Sequence, residues 1–293
     1  MSLAARVLLG VLATVALFYI ARWILIERRA RSGVAASPGV VHPLVGFVTN
    51  FFDTLGVGSF APTTSVFKLL KLVPDERIPG TLNAGHALPT ITQALIFIAA
   101  VTIDPLTLVT MIAAAVLGAW LGAGVVSRLP ARGIQLGMGA ALLVAAVLFA
   151  MKNLEWIPAG GEALGLQGSL LFIAIGVNFL LGALMTLGVG LYAPCLILVS
   201  LLGMSPIAAF PVMMGSCAFL MPVAGLRFIT SGRYDRRAAV GLALGGIPGV
   251  LFAAFVVKSL PMVWLRWMVV VVVLYAAFAM LRAANKGSSA EPS

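Results

Sequence analysis

Residues 54–62 read Thr54-Leu55-Gly56-Val57-Gly58-Ser59-Phe60-Ala61-Pro62, and residues 186–194 read Thr186-Leu187-Gly188-Val189-Gly190-Leu191-Tyr192-Ala193-Pro194. The likeness runs without gaps over residues 54–79 and 186–211, an offset of 132, and includes Leu69/Leu201, Leu70/Leu202, Pro74/Pro206 and Pro79/Pro211. Leucines coincide readily in apolar sequence, but aligned glycines and prolines do not, so the chain carries an internal repeat. Each copy lies inside a long apolar segment, Pro43–Leu72 or Gly168–Leu202. Proline removes a backbone donor and glycine weakens a helix, so both segments break near the middle. Each half is about a dozen residues, about 18 Å at 1.5 Å per residue, and a hydrocarbon core is about 30 Å thick.

The rest of the chain places these breaks inside a membrane. Of 293 residues, 61% are hydrophobic and 10% charged, whereas a soluble domain carries about a quarter charged residues. Further apolar runs cover Leu3–Ile26, Ile78–Val101, Pro105–Val126, Gly133–Met151, Pro206–Ile229, Ala238–Val257 and Met262–Leu281, each long enough to cross a bilayer. The net charge of +10 comes from Lys and Arg placed mostly between these runs. That pattern sets topology and meets anionic headgroups, and it does not point to nucleic acid. Cys195 and Cys217 both sit in apolar segments and form neither a disulfide framework nor a metal motif. The first run exceeds a signal-peptide core, lacks a small-residue cleavage site and ends among Arg22, Arg28, Arg29 and Arg31. It reads as a retained helix with a cytoplasmic C-terminal end.

Charge counting chooses between a broken crossing and a re-entrant hairpin. With both motif segments re-entrant, 15 of the 19 Lys and Arg fall on the cytoplasmic side; with both spanning, 11 do. The positive-inside rule favours re-entrant hairpins. Each repeat then holds one hairpin and three crossings, an odd number, so the second is inverted relative to the first. The expected fold is an all-α integral membrane protein of two such inverted repeats, preceded by one extra N-terminal transmembrane helix. The expected divisions are residues 1–40 for that helix and its linker, 41–152 for repeat 1, 168–283 for repeat 2 and 284–293 for a disordered tail. The N-terminus lies outside and the C-terminus in the cytoplasm.

In this arrangement the two hairpin tips meet near the midplane. Pro62 and Pro194 open new half-helices, whose free N–H groups carry the positive end of a helix dipole. Gly56, Gly58, Gly188 and Gly190 let backbone approach a ligand closely, and Ser59, Thr63 and Thr64 add hydroxyls. Such a site suits an oxyanion. Asn83, Cys195 and Ser216, with Asn50 and Asn178, are further polar or soft candidates. Of the nine acidic residues only Asp53 lies deep in an apolar segment, and His86 lies two turns into the next crossing. Intramembrane ionisable groups are costly and usually functional, so both are proton-coupling candidates. The alternative is a structural hydrogen-bonded pair, or a His packed against a kink at Pro89. Met185 takes the repeat position of Asp53, which makes the site asymmetric. Arg227, near a cytoplasmic end, either snorkels or attracts anions.

The paired Gly-x-Gly-x-x-x-Pro hairpins, each followed by a proline-rich turn and three crossings, resemble the TauE/SafE (TSUP) family of sulfite exporters and organosulfonate permeases. The likeness covers about Val41 to Leu281, leaving the first helix as an addition. The family pattern often reads Gly-x-Gly-Gly-Gly before the proline, where this chain has Ser59-Phe60 and Leu191-Tyr192. The resemblance implies transport of small sulfur-containing anions such as sulfite, thiosulfate or organosulfonates, and the expected function is a secondary active exporter in a bacterial inner membrane. A passive anion channel is the nearest alternative, and a membrane-embedded enzyme resting on Gly215-Ser216-Cys217 is a remote one. The chain lacks a Gly-x4-Gly-Lys-Ser/Thr phosphate loop. Expected partners are the small anionic substrate, a proton or ion gradient, membrane lipids and, as an option, a second copy in a homodimer. No cofactor, metal or nucleic acid is expected.

Overall fold

The computed structural model describes residues 3–29, 39–156, 161–188, 190–255 and 262–288. The linker residues Ser32–Pro38, Lys258 and the tail beyond Ser288 therefore lie outside the described residues. Every described element is helical apart from one isolated bridge between Ala163 and Met204. After α1 (Leu3–Arg29) come α2 (Val41–Thr54), α3 (Phe60–Leu70), a short 3-10 turn (Asp75–Arg77), α4 (Ile78–Gly85), α5 (Ala87–Ala100), α6 (Pro105–Val126) and α7 (Ala131–Asn153). The second half holds α8 (Gly168–Met185), α9 (Tyr192–Leu201), α10 (Pro206–Thr230), α11 (Arg236–Phe255) and α12 (Met262–Ser288). Among the described residues six helices, α1, α6, α7, α8, α10 and α11, are long and apolar enough to cross a membrane. Their outward faces carry large apolar side chains, among them Phe18, Leu121, Val147, Phe172 and Leu244, each more than half exposed. That is the surface a lipid solvent requires and water does not tolerate.

Both motifs break the helix where the sequence places the break. Gly56 and Gly58 have φ of +88° and Gly188 has φ of +97°, a left-handed region that glycine enters without a Cβ clash. Pro62 and Pro194 each occupy the first turn of the helix that follows. The flanking helices α2, α3 and α9 have 14, 11 and 10 residues, or about 15–21 Å. The helix α8 differs from the expected dozen residues. Its 18 residues reach about 27 Å, because no proline interrupts the helix between Gly168 and Met185. The expected single crossing Ile78–Val101 is instead split at His86 into α4 and α5. Pro89 explains the split: it offers no N–H to the Gly85 carbonyl, and its ring crowds that carbonyl.

Two helix pairs bring backbone close to backbone, and they match each other. A Cβ added at Gly46 would lie 2.6 Å from the Leu242 carbonyl oxygen, and one at Gly246 would lie 2.6 Å from Asn50 Nδ2. Both residue numbers rise together, so α2 and α11 run in the same direction. In the other pair, a Cβ at Gly182 would lie 2.1 Å from the Ala115 oxygen, and Asn178 Nδ2 donates to the Met111 oxygen at 2.7 Å. So α8 and α6 also run together. Glycine is required at these crossings because backbone meets backbone.

Three more directions follow. Gly215 meets Ile112, and Gly124 meets Arg227, so α10 runs with α6. Gly225 meets Asn83 while Gly215 meets Ile98, so α10 runs against α4 and α5. Near the chain's middle, Gly161 N–H donates to the Met204 carbonyl at 3.1 Å and Ser205 N–H to the Ala163 carbonyl at 2.9 Å. These bonds tie the segment leading into α8 to the segment leaving α9. The first helix belongs to the core. Tyr19, fully buried, donates to the Ala84 carbonyl at 3.0 Å, and Glu27 pairs with Arg236 at 2.7 Å and with the Tyr234 hydroxyl.

Candidate functional site

A buried polar cluster joins the two breaks. Asp53, in the last turn of α2, is 2% exposed. Gln93 of α5 donates from Nε2 to Asp53 Oδ2 at 2.8 Å and to Thr54 Oγ1 at 3.0 Å. Ser59 lines the same cavity as the Asp53 carboxyl. Ser59 is the residue before α3, so the N-terminus of α3 shares that cavity with the chain's own carboxyl group. The Gln93 oxygen accepts from the Tyr192 hydroxyl at 2.6 Å, and Tyr192 opens α9 beyond the second break. One amide side chain thus bridges the two motifs.

His86 lies in a second polar layer on the same helices. Asn50 Nδ2 donates to the Gly46 carbonyl at 2.8 Å, and Asn50 Oδ1 is 3.1 Å from His86 Nδ1. An amide oxygen only accepts, so Nδ1 carries a proton and donates. His86 Nε2 is 3.0 Å from Thr63 Oγ1, and in the neutral ring that nitrogen accepts from the hydroxyl. Asn50, His86 and Thr63 therefore cross-link α2, the α4–α5 kink and α3. These contacts also fix direction. Asn50 meets His86 and Asp53 meets Gln93, whereas Thr63 meets His86 and Lys68 pairs with Asp75 at 2.5 Å. The helix α2 runs with α4–α5, and α3 runs back against them.

Beside Asp53 is a cavity with about 230 Å³ of empty space, lined among others by Gly58, Ser59, Gly190, Tyr192 and Cys217. A neighbouring cavity of about 390 Å³ shares Gly58, Gly190 and Tyr192 and reaches Pro194 and the Val144, Ala145 and Leu148 face of α7. Of the residues singled out from sequence, Asp53, Gly58, Ser59, Gly190 and Pro194 thus converge on one space between the breaks. His86 and Thr63 join through the adjacent layer. Gly56 faces the Phe210 ring, and Gly188 faces Met138. Pro62, Asn83, Cys195 and Ser216 do not line either cavity. Ser216 instead pairs with Asn178 at 3.1 Å, and the side-chain Oδ1 of Asn83 is a buried acceptor without a partner. Met185, the counterpart of Asp53, accepts from the Cys217 thiol at 3.6 Å. Sequence reasoning missed Gln93, the one amide in the apolar run Leu88–Ala100.

No curated protein and no solved structure matches the chain. A family model does: residues 1–149 match the model described as Sulfite exporter TauE/SafE. The match covers just over half of the chain and includes α1, which the resemblance had set aside as an addition. With the apolar bundle and the two broken helices, it establishes that the chain belongs to the TauE/SafE sulfite exporter family, a family of membrane transporters of small anions.

Proposed function

We propose that this protein is a secondary active exporter of small sulfur-containing anions such as sulfite or organosulfonates, with the anion bound at the midplane between the two breaks and its passage coupled to a proton on Asp53. The carrying observation is the Asp53 carboxyl on the cavity beside Ser59 at the start of α3, tied through Gln93 to Tyr192 of the second motif. An anion entering the shared cavity meets that carboxyl. Two unit charges roughly 5 Å apart repel by about 3 kcal/mol at an effective dielectric near 20, a factor of more than about a hundred in affinity. A proton on Asp53 removes that penalty, so anion binding and proton uptake favour each other, and the pair leaves the cell when the outward gradient of the anion exceeds the inward gradient of the proton. The second half offers Gly190 and the N-terminus of α9 with Met185, not a carboxyl, beside them.

The two-repeat topology is part of this reading, and the helix directions support it. The helix α4–α5 and its counterpart α10 run oppositely. So do α6 and α11, because α11 follows the direction of α4–α5: Gly85 meets Ala239 and Gly246 meets Pro89. Counterpart elements with opposed directions are what an inverted repeat requires. The reversal of α3 against α2 supports a re-entrant first hairpin. The backbone bonds between residues 161–163 and 203–205 support a second hairpin that leaves on the side it enters. We place the protein in a bacterial inner membrane, N-terminus outside and C-terminus in the cytoplasm, with residues 41–152 and 168–283 as the repeats. Substrate-contact candidates are Gly58, Ser59, Gly190 and Pro194 first, with Gly56, Pro62, Thr63, Asn83, Gly188, Cys195 and Ser216 as outlying members.

Flux in proteoliposomes tests the reading. Sulfite, thiosulfate, sulfate, sulfoacetate and taurine would be offered under an imposed proton gradient, with internal pH recorded. The expected result is uptake of at least one anion against its gradient with accompanying proton movement, and retained anion exchange without proton movement in Asp53→Asn. Flux only down the anion gradient would assign a channel instead. Unchanged proton movement in Asp53→Asn would remove the coupling role.

A further inference from the structure

At the end of the bundle where α6 and α10 both finish lies an open groove with about 1240 Å³ of space, which Asp53 does not line. It is lined by Trp120, Ser127, Arg128, Arg227, Thr230 and Ser231 among others. Arg227 lies across α6: its Nη1 donates to the Trp120 carbonyl at 2.5 Å, and its guanidinium carbon is 5.3 Å from the Trp120 ring centroid. Gly124 makes this possible, since a Cβ there would lie 2.8 Å from Arg227 Nη2. Among the described residues that line the groove, none is acidic. The two helix C-termini carry about half a negative charge each, against two full positive charges on Arg128 and Arg227, so the groove is left with roughly one positive charge. The hydroxyl protons of Ser127, Thr230 and Ser231 go to backbone carbonyls. The free donors are therefore the remaining N–H groups of the arginines, a guanidinium having five in all.

We propose that this groove binds a phosphate oxyanion, specifically the headgroup of an anionic phospholipid. The guanidinium fork matches a phosphate. The lipid source is favoured by what surrounds the arginines. Val223 and Leu226 share the groove wall, and Trp120, Leu121, Leu117 and Val125 leave the adjoining face of α6 more than half exposed. An acyl chain can lie along that face while the headgroup meets the arginines at the interface, the depth at which Trp and Arg anchor. Basic pockets between helix ends are a recurring form of lipid headgroup site.

The test uses the full chain purified in neutral detergent, with phosphatidylglycerol, phosphatidylcholine and inorganic phosphate as probes, read by native mass spectrometry and thermal unfolding. Phosphatidylglycerol is expected to bind saturably and raise the melting temperature, and phosphatidylcholine to do neither. Arg227→Gln and Arg128→Gln should each weaken phosphatidylglycerol binding by about tenfold or more, the equivalent of one charge-assisted hydrogen bond. Gly124→Ala should weaken it too by displacing the flexible end of Arg227 while leaving lipid-free melting unchanged, which keeps the test valid if Arg227→Gln misfolds. Wild-type binding retained in Arg128→Gln and Gly124→Ala, or equal binding of phosphatidylcholine, would overturn the proposal. Inorganic phosphate binding as tightly as the lipid and displacing it would make this a free-anion site and overturn the lipid assignment.

Discussion

Asp53 and His86 each tie α2 to the α4–α5 unit, yet their surroundings differ. Both nitrogens of His86 are engaged, by Asn50 and Thr63, and the ring does not line either cavity between the breaks. Asp53 lines the cavity, beside the titratable neighbours Tyr192 and Cys217. His86→Gln is therefore expected to lower the melting temperature while keeping proton movement in the flux assay, the reverse of Asp53→Asn. Gln93→Leu should be more damaging than either. It strips partners from Asp53, Thr54 and Tyr192 at once, and an unsatisfied buried polar group costs about 1–3 kcal/mol. Thr54 keeps its own bond to the Asn50 carbonyl, so about 2–5 kcal/mol is expected in denaturant or thermal unfolding, together with loss of flux. Asp53 was legible in the sequence because an acid stands out in an apolar run. Gln93 was not: an amide carries no charge signal, and its role depends on two helices brought beside α5 by tertiary packing. The separate fates of Asn83, Cys195 and Ser216 were equally illegible, since the face a polar residue takes in an all-apolar helix has no hydrophobic period to set it.

At the level of helices, small residues decide which elements touch. The sequence marked the breaks through glycine and proline chemistry, and marked the crossings through length. It did not reveal that α2 pairs with α11 and α8 with α6, because in lipid such pairing follows backbone approach and not hydrophobic burial. It marked a kink at Pro89, and the break falls at His86 because the strain of a proline falls one turn earlier. The pairing makes a sharp prediction. A Cβ at Gly118 would lie 1.9 Å from the Phe179 carbonyl oxygen, and one at Gly245 would lie 1.8 Å from the Pro43 oxygen, whereas Gly10 has nothing within 4 Å. Backbone cannot yield as a side-chain tip can, so Gly118→Ala and Gly245→Ala should each destabilise by about 1–3 kcal/mol or more. Gly10→Ala should be neutral or stabilise by up to about 1 kcal/mol through helix propensity. Thermal unfolding in one detergent compares all three. Equal melting temperatures would mean that these crossings are not where the bundle is held.

For the whole molecule the question is which sides of the membrane the two hairpins open to. The charge count puts the first on the cytoplasmic side and the second outside, and the opposed directions of α4–α5 and α10 agree with that inversion. Labelling can decide it if the reporters reach water. Val73 is only 5% exposed and would label slowly from either side. Lys71, just past α3, and Glu162, just before α8 and bonded region to region with the end of α9, are both exposed. The native Cys195 and Cys217 are fully buried, and replacing both by Ala removes background labelling. In that background Lys71→Cys should react with a membrane-impermeant maleimide only from the cytoplasmic face, and Glu162→Cys only from the outside. If α2–α3 and α8–α9 were instead broken crossings, each hairpin's exit would change sides relative to its start. Each repeat would then hold four crossings and the two would be parallel. Adding Glu162→Cys and Ser205→Cys reporters on the two ends of the second hairpin separates the cases. The same side for both means re-entry, and opposite sides mean a crossing, which the 27 Å reach of α8 makes the outcome most worth excluding.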